Sequence, residues 1–127
     1  MLTGVESIVE HVRINLGKNF NNTDLEHHLE MAKKYQVPMN LLMILSYPTE
    51  TESDHEQVRQ WFVAHKDFAN STVKKVQCTL PGILPGTQLE KTIDHSSFQQ
   101  NKMSRYRNAI NTVKIIQQCG FNVQTFF

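Results

Sequence analysis

An α/β architecture with a parallel sheet is the fold class this sequence predicts. Strand-like apolar runs alternate with segments of helical periodicity along the chain, which is the signature of βα units. Leu41 to Leu45 form an unbroken apolar run, as expected of a central parallel strand buried on both faces, since a strand with one wet face would alternate polar and apolar positions. Pro48 follows and removes a backbone donor, and Thr51 with Asp54, or Thr49 with Glu52, offers the hydroxyl-x-x-acid spacing of a helix N-terminus. Strand, sharp turn and capped helix therefore succeed one another within a few residues. In parallel sheets the residues just past the carboxyl ends of the strands form the ligand-facing edge, to which helix N-termini add unpaired amides.

Taken in order, Leu2–Val5 reads as a short strand and Ser7 as a cap for a helix over Ile8–Leu16, with Val9, Val12 and Leu16 at helical spacing and Gly17 closing it in the left-handed conformation. Asn19-Phe20-Asn21-Asn22 is a polar loop. Thr23-Asp24-Leu25-Glu26 then has the form of a capping box, and Leu25, Leu29, Ala32 and Tyr35 give the second helix its apolar stripe. His27 and His28 are adjacent, so on a helix they point roughly 100° apart and cannot chelate one metal together. The central strand spans Asn40–Leu45. Val58, Trp61, Phe62, His65 and Phe68 recur along one helix face over about Glu52–Ala69. Val73–Cys78 is a β-branched strand that breaks at Pro81-Gly82, and Pro85-Gly86 marks a second turn. Lys91 to Ser97 reads as irregular. A long helix follows over about Phe98–Gln118, with Met103, Tyr106, Ile110, Val113 and Ile116 or Gln117 on its inward side, Gly120 as its cap and Asn122–Phe126 as a closing strand.

The count is four strands where a closed (β/α)8 barrel has eight, so the pattern is that of a partial, half TIM-like barrel forming a single domain over residues 1–127. With 127 residues, 39% hydrophobic and 20% charged, the chain is one domain's worth of a globular protein. A net charge of +1 gives no field that argues for nucleic acid, and no apolar run approaches the roughly 20 residues of a membrane helix. A cytoplasmic location is the expectation. Cys78 and Cys119 lie far apart in sequence, outside any Cys-x-x-Cys pair, and read as buried thiols rather than metal ligands or a disulfide.

Gly4-Val5-Glu6-Ser7, Leu16-Gly17-Lys18-Asn19-Phe20, Leu42 to Thr51 and Leu84-Pro85-Gly86-Thr87, in that order and spacing, resemble the C-terminal half of the radical S-adenosylmethionine core, nearest to its cobalamin-associated subgroup. The match runs through nearly the whole chain, to Gly120-Phe121-Asn122-Val123. The resemblance implies that Glu6 and Ser7 meet the ribose and methionyl part of S-adenosylmethionine, and that Leu45, Ser46, Tyr47, Leu80 and Pro81 lie around its adenine and the pocket mouth. Ser46 and Thr49 stand where members usually carry glycine. The Cys-x-x-x-Cys-x-x-Cys loop that holds the family's iron–sulfur cluster is absent from these residues, as are the first three strands, so the cluster would belong to a missing N-terminal half. The chain alone is then expected to have no catalytic residue and no metal site of its own.

Three readings follow. The chain is a fragment of a radical enzyme, or a free-standing module keeping part of a nucleotide pocket, or a non-catalytic half-barrel that associates with itself or with another chain. A halved barrel exposes two strand edges and an inner sheet face, so a homodimer is the expected oligomer.

Overall fold

The computed structural model describes residues 2–18, 20–48, 50–69, 71–81 and 102–127, and among them lie nine elements of sheet and helix. They are β1 (Leu2–Glu6), α1 (Glu10–Asn15), α2 (Asn22–Lys34), β2 (Met39–Ile44), α3 (Glu52–Ala64), a 3-10 turn (Lys66–Phe68), β3 (Val73–Thr79), α4 (Lys102–Gln118) and β4 (Val123–Thr125). The strands form one sheet in the order β1-β2-β3-β4, and every pairing is parallel, as the alternation predicts. Parallel neighbours need crossover connections, and α1 with α2, then α3, run between the first three strands.

Register explains which side chains meet them. Thr3 faces Leu41, Leu41 faces Val76 and Val76 faces Val123, so the four share a face. Gly4, Leu42, Gln77 and Gln124 make the neighbouring row on the opposite face. The first face is the core side: Val5, Leu41, Met43, Val76 and Cys78 pack with Val12, Leu25, Leu29, Val58, Phe62, Ala109 and Ile116 from the helices. The expectation that the central strand is buried on both faces is corrected here. Met39, Leu41 and Met43 are buried while Asn40, Leu42 and Ile44 are half-buried. The second face carries Lys75, Gln77 and Thr79 across from them, and these too are half-buried.

Helix ends obey local chemistry, with shifts from the sequence reading. The second helix is capped by Asn21 rather than Thr23: Asn21 Oδ1 accepts from the Asp24 amide at 2.8 Å and Asp24 Oδ2 from the Asn21 amide at 3.0 Å, closing a box. The first helix is shorter than expected and starts after Val9, because Ser7 Oγ accepts from the Val9 amide at 3.0 Å and holds a turn instead of capping the helix. The helix after β2 is capped by Thr51 and Asp54, and it ends at Ala64, four residues before Phe68, where the 3-10 turn takes over. Gly17 and Gly120 have φ of 77° and 96°, the left-handed conformation that ends a helix.

In α4 the inward stripe is Ala109, Thr112, Val113 and Ile116. Met103 and Tyr106, read from sequence as inward, are 61% and 41% exposed, so the buried stripe belongs to the helix's second half. Phe62 of α3 meets Phe121 edge-on at 5.3 Å, joining the helix layer to the chain just before β4. Cys78 is buried and burial pushes its thiol up to about 12, whereas Cys119 is only half-buried. Arg13 is wholly buried behind α1: Nη2 donates to Asn22 Oδ1 and the guanidinium lies 4.8 Å from the Phe20 ring centre. Desolvation lowers its pKa while Glu10 and Asp24 oppose the shift. The Pro81-Gly82 and Pro85-Gly86 turns, the Leu84–Thr87 motif, the Lys91–Ser97 stretch and the start of the last helix at Phe98 lie wholly or partly outside the described residues.

Candidate functional site at the carboxyl edge of the sheet

Parallel register brings the ends of β1, β2 and β3 to one edge. Glu6 stands opposite Met43, and the Leu45 amide donates to the Thr79 carbonyl at 2.9 Å, so the segments Glu6–Ser7, Leu45–Tyr47 and Leu80–Pro81 leave the sheet side by side. The residues singled out from the sequence are therefore neighbours along one edge. Their exposure differs. Ser7, Leu45, Ser46 and Tyr47 are buried, and Glu6, Leu80 and Pro81 are half-buried.

Backbone conformation at this edge is unusual at two positions. Glu6 has φ 67°, and the Ser7 amide donates to the Val5 carbonyl at 2.8 Å, which together form a turn of the rare γ type. The register slips between Gly4 and Glu6, leaving Val5 as the additional residue of a bulge. Ser46 has φ 57° at the end of β2. Each left-handed non-glycine residue costs on the order of 1 kcal/mol and persists only where the surroundings hold it. Ser46 is held by its hydroxyl, which donates to the Arg105 carbonyl at 2.9 Å and ties the end of β2 to the first turn of α4. At Gly4 a Cβ would stand 3.2 Å from Glu6 Oε1 and 3.8 Å from Lys18 Nζ, so the carboxylate and the ammonium fold back over the strand at that point.

Two carboxylate–imidazole pairs flank the N-terminus of α3. Asp54 Oδ2 lies 2.9 Å from His11 Nε2 of α1 and also accepts from the Thr51 amide at 2.8 Å. Partial burial pushes the Asp54 carboxyl up, but the Thr51 amide and His11 outweigh it and hold the group below its ordinary value. His11 is 52% exposed, so this pair faces solvent. The second pair is buried: Glu50 Oε2 lies 3.0 Å from His55 Nδ1, and the Glu50 side chain is 2% exposed with Oε1 lacking a hydrogen-bond partner. Burial raises the Tyr47 phenol, and desolvation lowers the Arg105 guanidinium. Of the two pairs only His11–Asp54 opens to solvent, and Glu50–His55 lies beneath the surface. Among the described residues no group of three or more His, Cys, Asp and Glu side chains is placed to hold one metal ion.

Glu50, His55 and His11 escaped the sequence reading. Asp54 was read as a cap, which it is, but its partner His11 lies 43 residues away with no local signal joining them. A cavity of about 440 Å³ lies at the other, amino edge, lined by Lys33, Gln36, Val37, Ser71, Thr72 and Lys74 among others. It shares no residue with the strand ends. No family model, curated protein or solved structure matches this chain. Among the described residues no helix is long and apolar enough to cross a membrane.

Proposed function

We propose that this chain is a half TIM-like barrel resembling the C-terminal half of a radical S-adenosylmethionine enzyme, contributing one wall of the cofactor pocket and no cleavage chemistry of its own. The observation that carries the reading is Ser46. It adopts φ 57° at the strand end where the radical S-adenosylmethionine pattern has glycine, the residue for which that conformation is cheap. The sequential, all-parallel order of four strands supports it as well. On this reading Glu6 and Ser7 face the ribose and methionyl portion, and Leu45, Ser46, Tyr47, Leu80 and Pro81 surround the adenine side. An iron–sulfur cluster normally grips the methionyl amine and carboxylate, and these 127 residues contain no Cys-x-x-x-Cys-x-x-Cys. Affinity is therefore at best millimolar, about −4 kcal/mol. Titration calorimetry with S-adenosylmethionine tests this. Micromolar binding, or iron–sulfur absorbance after reconstitution of the chain alone, contradicts the reading.

A second reading, a self-associating half-barrel, is favoured by one observation: Met103, Tyr106 and Phe126 are exposed beside β4, and Tyr106 meets Phe127 edge-on at 5.9 Å. These apolar groups flank an edge strand of the sheet, where another copy's β1 could extend the sheet in parallel and two copies would supply eight strands. Light scattering at micromolar concentration decides, with Phe126→Lys and Leu42→Asp as variants. A monodisperse monomer of 14.7 kDa rules the dimer out.

A further inference from the structure

We propose that the amino-edge cavity binds a soluble phosphomonoester, an organic phosphate whose remaining part is apolar. Its volume of about 440 Å³ is that of a small-molecule site. Two ammonium groups line it from different elements, Lys33 at the end of α2 and Lys74 at the start of β3, and the Gln36 carboxamide adds N–H donors. Among the described residues no Asp or Glu lines it, so its wall carries two positive charges and no negative one. Ala32, Val37 and Pro38 give it an apolar side.

Both walls are fixed by bonds of the fold itself. The Gln36 amide donates to the Lys33 carbonyl at 3.2 Å, the Val37 amide to the Ala32 carbonyl at 2.8 Å and the Tyr35 amide to the Met31 carbonyl at 3.0 Å. Three of the carbonyls that make the negative end of α2 are thereby occupied, which lowers the cost of bringing an anion to that end. Across the cavity, Ser71 Oγ donates to the Asp67 carbonyl at 3.0 Å and the Thr72 amide to the Phe68 carbonyl at 3.2 Å, pinning the entry to β3. The Met39 amide donates to the Thr72 carbonyl at 2.8 Å and joins the two walls. The donor set selects phosphate over carboxylate. An ammonium is a compact point charge suited to phosphate oxygens, whereas a planar carboxylate is matched by the guanidinium fork, and no arginine among the described residues lines the cavity. A phosphomonoester carries close to two negative charges at neutral pH, matching the two ammonium groups. Asp67 competes for one of them, since its Oδ2 lies 3.5 Å from Lys33 Nζ.

The test is an amide chemical-shift titration of the full chain with phenyl phosphate and, separately, inorganic phosphate. Saturable shifts are expected at Gln36, Val37, Thr72 and Lys74 at about millimolar phenyl phosphate, with inorganic phosphate about fivefold weaker because it leaves the apolar side bare. Lys74→Gln should weaken phenyl phosphate binding about fivefold, and Asp67→Asn, which releases Lys33, should tighten it about twofold to threefold. Lys34→Gln changes an exposed lysine outside the lining and should leave the affinity within about twofold. Shifts that do not saturate, or equal losses in Lys34→Gln and Lys74→Gln, reduce the site to diffuse surface charge and overturn the proposal. Pelleting with phosphatidic acid vesicles without a response to phenyl phosphate places the phosphate on a lipid and overturns it too. Should Lys74→Gln fail to fold, the direction of the change in Asp67→Asn decides.

Discussion

Among the described residues, three other than glycine adopt the left-handed conformation, and they divide the molecule between its two edges. Gln36, φ 55°, lies at the amino edge, where it ends α2: its amide donates to the Lys33 carbonyl and the following Val37 amide reaches back to Ala32 at 2.8 Å. That is the hydrogen-bonding of a helix C-terminus, and it accounts for the strain locally. Glu6 and Ser46, at the carboxyl edge, end strands and terminate no helix. The strain thus serves a helix end at the amino edge, and at the carboxyl edge a γ turn at Glu6 and a tie from Ser46 to the Arg105 carbonyl. One pair at each edge differs in burial as well. Glu50 and His55 are buried at the carboxyl edge, while Lys33 and Asp67 near the amino edge are largely exposed.

Breaking these pairs gives the largest expected contrast. Glu50→Ala strands a buried imidazole without its carboxylate and should cost about 3 kcal/mol. Lys33→Ala should cost under about 1 kcal/mol, as for other surface pairs. Urea titration of both variants measures the difference, and equal losses would dissolve the contrast between the edges. Next in size is Ser46→Val. A β-branched residue at φ 57° together with loss of the bond to the Arg105 carbonyl should cost about 2 kcal/mol. Gln36→Gly should instead stabilise the chain by up to about 1 kcal/mol, because the conformation is kept and only the penalty removed. Thermal melts of the pair check the opposite signs. Thr51→Ala should cost about 1 kcal/mol through the lost cap of α3.

The smallest effect concerns pH. Asp54 is held below its ordinary value, so the stability it adds is fully present above the usual carboxylate pKa of about 3.9 and is lost as pH falls beneath it. His11→Ala removes one of the groups that keep Asp54 ionised, so the acid limb of an unfolding curve should be shallower in the variant. An unchanged acid limb would remove His11 from the account of this edge.

Much of the architecture was legible because βα alternation and helix caps are local signals. The strand, turn and capped helix around Leu41 to Asp54 show this, and so do Gly17 and Gly120. The unequal burial of the two faces was not legible, since the apolar run Leu41–Leu45 looks the same whether one face or two are fully packed; only the register with Lys75, Gln77 and Gln124 separates the cases. The inward side of α4 misled for a related reason: Met103 and Tyr106 keep helical spacing with Ile110 and Val113, but the sheet reaches only the later turns. At the candidate site, Glu6, Ser7, Ser46 and Tyr47 were named through the family resemblance, and the register sets them at strand ends. His11–Asp54 joins residues with no shared local pattern, and Glu50–His55 is defined by burial, which a sequence does not display.

Amide chemical-shift mapping with millimolar S-adenosylmethionine tests the central claim most directly. The account predicts that the Glu6, Ser7, Ser46 and Tyr47 amides move while those of Lys33, Gln36 and Lys74 stay still, and that Ser46→Val weakens the response. Shifts confined to the amino-edge residues, or none at either edge, would contradict it.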